Sequence, residues 1–264
     1  MKYKLSAIIK KDLKKVLSSK TMFISLLAVP LVLTVLLPTI FILTQYFLPQ
    51  ENDEFAKLLE LLPLSELSGS LQENITKLIL NYALPIFFLL IPIMASTIMS
   101  AASFVGEKEK QTLETLLYCP LSLKQLFQAK TAASFLLSMS VSGISFLVML
   151  IVLETEIYCT AGIFILPGIQ WLLVMLLLAP SLSVIAITLM VRISAKAQSV
   201  EDAQQGAVFL VLPILFLCIS QFAGLFLINA WILLGLGILC AVLAFLLFRR
   251  AAANFTYETL NALI

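Results

Sequence analysis

The sequence predicts an all-α integral membrane protein with six transmembrane helices and both termini in the cytoplasm. Three observations carry this. Of 264 residues, 61% are hydrophobic and only 12% charged, against roughly 25% charged in soluble domains. The charges leave uncharged runs at 21–50, 78–106, 131–153, 157–191 and 203–248. Fifteen of the 17 Lys and Arg fall in segments that would share one side of the bilayer.

A spanning helix needs about 20 apolar residues. The first four runs supply one span each, and 157–191 is too short for two spans and a turn. The last run is long enough for two spans with a tight turn near Asn229. The six expected spans are 22–48, 79–105, 130–153, 166–191, 205–226 and 230–248. Orientation follows from the basic residues, because Lys and Arg accumulate in cytoplasmic loops. The N-terminal segment, the second loop (Lys108, Lys110, Lys124, Lys130), the fourth (Arg192, Lys196) and the tail (Arg249, Arg250) hold all but Lys57 and Lys77. The segments on the other side carry acids, among them Glu51, Asp53, Glu60, Glu154 and Glu156. Splitting the last run keeps Arg249 and Arg250 on the basic side.

The chain reads as a single transmembrane domain over 1–264, with an N-terminal interface helix within 1–20. The N-terminal apolar run is too long for the core of a signal peptide, and no small-residue cleavage site follows it. Over 3–18 the pattern is amphipathic, with Leu5, Ile8, Ile9, Leu13, Val16 and Leu17 on one face and most lysines opposite. Such a helix lies in the membrane interface. Asp12 interrupts the apolar face, as a snorkelling acid or as a contact with another protein segment. The acidic segment 49–78, with Leu58, Leu59, Leu61, Leu62 and Leu67 among its charges, is expected to fold into short helices outside the membrane.

Several chemistries lack their residues. There is no His, and Cys119, Cys159, Cys218 and Cys240 have no metal-ligand spacing and form no disulfide framework. No GxxxxGK[ST] phosphate loop is present, so the chain does not bind ATP in that way. No expected span carries an ionisable residue in its interior, whereas proton-coupled transporters usually keep one there. If the protein moves a solute, the energy enters from outside the membrane.

Residues 106–122, GEKEKQTLETLLYCPLS, place three glutamates and two lysines beside a charge-free span. A short helix is expected from Glu107 to Tyr118, with Leu113, Leu116 and Leu117 on one face. Pro120 stops it, because proline disfavours helix in the residue before it. Ser122 with Gln125 forms a capping box that opens the next helix. The segment at 192–204 has a second box, Ser199 with Asp202, opening span five. From pattern alone the charged stretch is equally a solvated loop that enforces topology.

The stretch GEKEKQTLETLLYCPLSLKQLFQAK resembles the glutamate-rich signature of the type-two permeases of ABC exporters. Glu107, Glu109, Thr112, Leu113, Glu114, Leu116, Leu117, Pro120, Ser122 and Lys130 match it, while Gln111 stands where many members have Gly. The opening KKDLKKVLSSKTMFISLLAVPLVLTVLLPTIF is similar to the family's interface helix and first span, with Asp12 at its usual acid. RISAKAQSVEDAQQGAVFLVLPILF resembles the segment before span five, including Ala203, Gln204 and Pro213. The sodium- and drug-efflux permeases are the most similar in character. Some members have re-entrant helices between spans five and six, for which this chain has little room.

The resemblance implies a multi-pass permease of a bacterial plasma membrane. It would be not itself an enzyme but part of an ATP-hydrolysing export complex. Its partners would be two copies of an ABC ATPase subunit, a second permease chain (identical or related) and membrane lipid, with no nucleic acid. ATP and Mg would be bound by the ATPase, and no cofactor or metal by this chain. It also implies that 106–122 is the coupling helix docked on the ATPase. Glu107, Glu109 and Glu114 would grip by charge-assisted hydrogen bonds, Thr112, Leu113, Leu116 and Leu117 would complete the contact, and Arg192, Lys196 and Glu201 would add a second one.

Hydroxyls are the remaining candidates. On span three Thr131, Ser134, Ser138, Ser142 and Ser145 fall within an arc of roughly 80°, and span two adds Ser96, Ser100 and Ser103. These serines either pack helices, as small residues commonly do in membranes, or line a mildly polar path at a dimer seam. Such a path suits amphipathic or hydrophobic cargo, a peptide, drug or lipid-like molecule. The alternatives are sodium-ion efflux and a non-transporting immunity or scaffold protein.

Overall fold

The computed structural model describes residues 2–47, 71–109, 122–162, 164–165, 167–222 and 229–254. An N-terminal helix, Lys2–Ser18, precedes six helices long and apolar enough to cross a membrane. Their membrane-spanning parts are Leu26–Thr44, Glu73–Glu109, Leu123–Thr160, Ile169–Ser194, Val200–Gln221 and Ala230–Ala253. The count agrees with the six expected spans, but the helices of spans two and three are longer than the runs that predict them. Span two continues through Gly106 to Glu109, and span three runs to Ala161, past Glu154 and Glu156. A charge at the end of a run marks where the chain can reach water, not where the helix stops. Helix termination needs its own signal, and Gly162 supplies it for span three at φ 69°, the left-handed conformation that ends helices.

Spans one, two and four share one irregularity. Each holds a five-residue π-helical segment, at Val32–Leu36, Ile79–Ala83 and Val174–Leu178. Each segment ends one residue before an X-Pro pair: Leu37-Pro38, Leu84-Pro85 and Ala179-Pro180. A proline inside an α-helix has no N–H to donate and its ring collides with the carbonyl four residues back. Widening the turn removes that collision, and the N–H before the proline reaches back five residues instead, as from Leu37 to Val32 and from Leu84 to Ile79.

Widening leaves the next carbonyl without its partner, since its donor would be the proline. In span two that carbonyl is Leu80, and the indole Nε1–H of Trp171 on span four donates to it at 2.9 Å. One residue on, the Asn81 amide oxygen accepts from the Gly168 N–H at 2.7 Å. Trp171 is 1% exposed, with ring centroids 5.5 Å from Phe88 and 5.3 Å from Phe146. Span two, nearly all buried over Ile75–Glu107, is the axis on which spans three, four and five pack.

The N-terminal helix packs its apolar face on protein. Val16 is buried, Ile9 and Leu13 lie against the core, and the helix contacts spans two and three. Lys10, Lys11 and Lys14 face outward. Span five ends at Phe222 and span six begins at Ala230. Asn229 opens span six, its side-chain oxygen accepting from the Ala230 N–H at 2.6 Å and its carbonyl from Leu233.

Candidate functional site

The Lys/Arg-rich end of spans two and three holds a cluster of buried charges joined across several elements. Glu107, on the last turn of span two, is 2% exposed. One carboxylate oxygen takes the Lys130 ammonium at 2.6 Å and the other takes Lys11 at 3.2 Å. Lys130 is 3% exposed, also donates to the Ser103 carbonyl, and sits 5.3 Å from the Phe104 ring centroid. Phe127 packs beside Phe104 and reaches Phe248 of span six at 5.9 Å. Asp12, 2% exposed, accepts from the Ser103 hydroxyl at 2.7 Å, while its other oxygen has no partner among the described residues.

Each charge has a local reason to be there. Glu107 is the first charge after run 78–106, and Lys130 is the last before run 131–153. Both therefore sit at the edge of the apolar layer. A lone carboxylate buried there would cost several kcal/mol. The ammonium offsets this at hydrogen-bond distance, with the aromatic faces excluding water. Asp12 is thus a contact with another protein segment, the sharper of the two readings of its position, and it ties the N-terminal helix to span two.

Glu107 differs from the sequence expectation. Its carboxylate points into the chain's own interior and both oxygens are occupied, so it does not project outward to grip a partner. The reason is its helix. Span two does not stop at Gly106, and the next residue remains on the buried face. Two residues on, Glu109 is exposed, about 200° further around the helix. Its carboxylate accepts the Val200 N–H at 3.2 Å, one of the open donors at the start of span five. Thr112, Leu113, Glu114, Leu116 and Leu117 lie outside the described residues.

The chain re-enters the described structure at Ser122, where the expected capping box is complete. Ser122 accepts from the Gln125 N–H at 3.4 Å and the Gln125 side chain accepts from the Ser122 N–H at 3.1 Å. At the second box Ser199 accepts from the Asp202 N–H, but Asp202 reaches back to the N–H of Gln198 rather than that of Ser199. Arg192, Lys196 and Glu201 are exposed at this end.

The serines lie elsewhere than at an exposed seam. Ser96, Ser100, Ser103, Ser134, Ser138, Ser142 and Ser145 are all buried within one chain. Ser96, Ser138 and Ser142 donate to carbonyls of their own helices at 2.8–2.9 Å. Ser100, Thr131 and Ser134 have no side-chain partner among the described residues. This is the geometry of close helix packing, because small side chains let two backbones approach.

Sequence reasoning missed the partners of Glu107. The available signal was that Glu107 and Lys130 end facing apolar runs at the same membrane depth. It also missed the Trp171 bond, whose signal was Pro85 inside a span, where a carbonyl must lose its donor.

A search of curated proteins finds no match. The sequence profile of the ABC-2 family transporter proteins matches residues 6–230, which is most of the chain and includes the N-terminal helix, the buried charge cluster and five of the six spans. The chain therefore belongs to the ABC-2 transporter family, and it is a multi-pass membrane permease, the transmembrane subunit of an ABC transporter whose family pairs with an ABC ATPase.

Proposed function

We propose that this permease is the membrane part of an ATP-driven exporter, with the segment between Glu109 and Ser122 as the element that receives motion from a separate ATPase. One observation carries the reading. One end of that segment is fixed to several elements at once, Glu107 to Lys130 and Lys11 and Glu109 to Val200, and the other, Ser122, caps the start of span three. A push on the segment is therefore delivered to spans two, three and five and to the N-terminal helix together. Glu114, with Thr112, Leu113, Leu116 and Leu117, forms the gripping surface, and Arg192, Lys196 and Glu201 flank it. Glu107 and Glu109 transmit rather than grip. Two permease chains and two ATPase subunits, which hold the ATP and Mg, make up the complex. The cargo is amphipathic or hydrophobic, consistent with spans whose buried polar residues are mostly hydroxyls, with charges only at the Lys/Arg-rich end.

The test is copurification with an ATPase after mild detergent extraction, followed by hydrolysis assays in proteoliposomes. Leu117→Asp puts a charge into the docking surface and is expected to abolish ATPase association. Glu114→Ala weakens it by the loss of a charge-assisted bond, about 1.5–3 kcal/mol. A chain that functions with no ATP-binding partner would overturn the reading in favour of an immunity or scaffold protein.

A further inference from the structure

A groove of about 400 Å³ runs between spans three, four and six, lined by Gln128, Phe135, Pro180, Val184, Ala241 and Phe245 among others. That volume is in the range of about 300–1,000 Å³ typical of small-molecule sites. Its walls are almost wholly apolar, and it opens sideways on membrane-spanning helices, so what reaches it comes from the bilayer. It occupies the half of the bundle toward the Lys/Arg-rich end, since Gln128 is near the start of span three and Phe245 near the end of span six.

The helical register adds charge at one end only. Lys124 precedes Gln128 by four residues and Arg249 follows Phe245 by four, so each stands one turn beyond the groove on the face that lines it. Both are exposed, and neither is in an ion pair with a described residue. Two cations at the membrane surface above an apolar slot complement a molecule with an anionic head and a hydrocarbon tail. Gln128 adds an exposed amide at the boundary between the two.

We propose that this groove is a binding site for an anionic phospholipid of the membrane. One acyl chain lies against Phe135, Val184 and Phe245, and the phosphate is held between Lys124 and Arg249. The site is on this chain alone and does not depend on the transport reading. A second copy of the chain is the rival occupant, and cross-linking at position 245 distinguishes it.

The full chain is reconstituted in phosphatidylcholine nanodiscs with a trace of phosphatidylglycerol bearing a photoreactive group near the end of its acyl chain. Adducts are mapped after illumination, with photoreactive phosphatidylcholine as the parallel probe. The expected result is a cluster of phosphatidylglycerol adducts on the groove residues, several times more abundant than phosphatidylcholine adducts there. Lys124→Gln and Arg249→Gln, both on exposed side chains, are each expected to lower the phosphatidylglycerol signal roughly fivefold. Ala132→Phe, which fills the slot from span three, is expected to remove the cluster. Should that variant fail to fold, the cation variants decide. Equal labelling by the two lipids, adducts spread evenly to Phe216 and Leu176 on the outer surface, or a photoreactive residue at position 245 that joins two copies of the chain would each overturn the proposal.

Discussion

At the basic end of the bundle, spans two and three are joined by Glu107 and Lys130; further into the membrane the same two helices carry buried serines, Ser96 and Ser100 on span two and Ser134 and Ser138 on span three. At the first contact the donors and acceptors reach across to other elements, with sequence separations of 23 to Lys130 and 96 to Lys11. At the second, Ser96 and Ser138 bond to carbonyls of their own helices. The first arrangement links elements and fails if one partner is lost. The second only keeps two surfaces small and close. In a membrane, where water cannot relieve an unpaired group, a polar side chain joins helices when its partner is on another helix.

The largest expected effect breaks the charged contact from one side. Lys130→Ala leaves Glu107 buried without its nearest cation and is expected to cost about 3–5 kcal/mol, read as a lower melting temperature of the detergent-purified chain. The paired change Glu107→Gln with Lys130→Met removes both charges and should recover most of that loss. A double variant as unstable as the single one would show that the ion pair is not the source of the stability. Next comes Asp12→Ala, which strands the Ser103 hydroxyl and frees the N-terminal helix. It should cost about 1–3 kcal/mol and speed proteolysis near residue 18 while the spans stay intact. Glu109→Ala is milder, at about 1 kcal/mol, and its signature is local: faster hydrogen exchange at the Val200 amide. Smallest of all is Ser138→Ala, expected within about 0.5 kcal/mol. A large loss there would mean that the serine contact is a cross-helix network after all.

What the sequence made legible follows the same division. Four spans could be read because charges bound their apolar runs, spans five and six from the length of run 203–248 and the placement of Arg249 and Arg250, and the caps at Ser122 and Ser199 because Ser122 with Gln125 and Ser199 with Asp202 are local patterns. The direction taken by Glu107 could not be read. Its burial depends on the helix running three residues beyond Gly106 and on Lys130 arriving from another span. Asp12 was ambiguous for the same reason, since its own helix gives its face and not its partner. The π-helical turns were hidden too: each precedes Pro38, Pro85 or Pro180, whereas Pro30 and Pro213 sit inside segments that are α-helical around them.

The bond between Trp171 and the Leu80 carbonyl has a practical side. The chain has two tryptophans, and they report on opposite surroundings: Trp171 is 1% exposed inside the bundle, and Trp231, at 79%, faces outward at the start of span six. Lipids carrying a brominated chain would quench the emission of Trp231 and leave that of Trp171. The remaining light comes from an indole whose N–H is tied to the turn that Pro85 opens in span two. Its wavelength and lifetime therefore follow the joint between spans two and four, with no label attached, during whatever movement the permease makes.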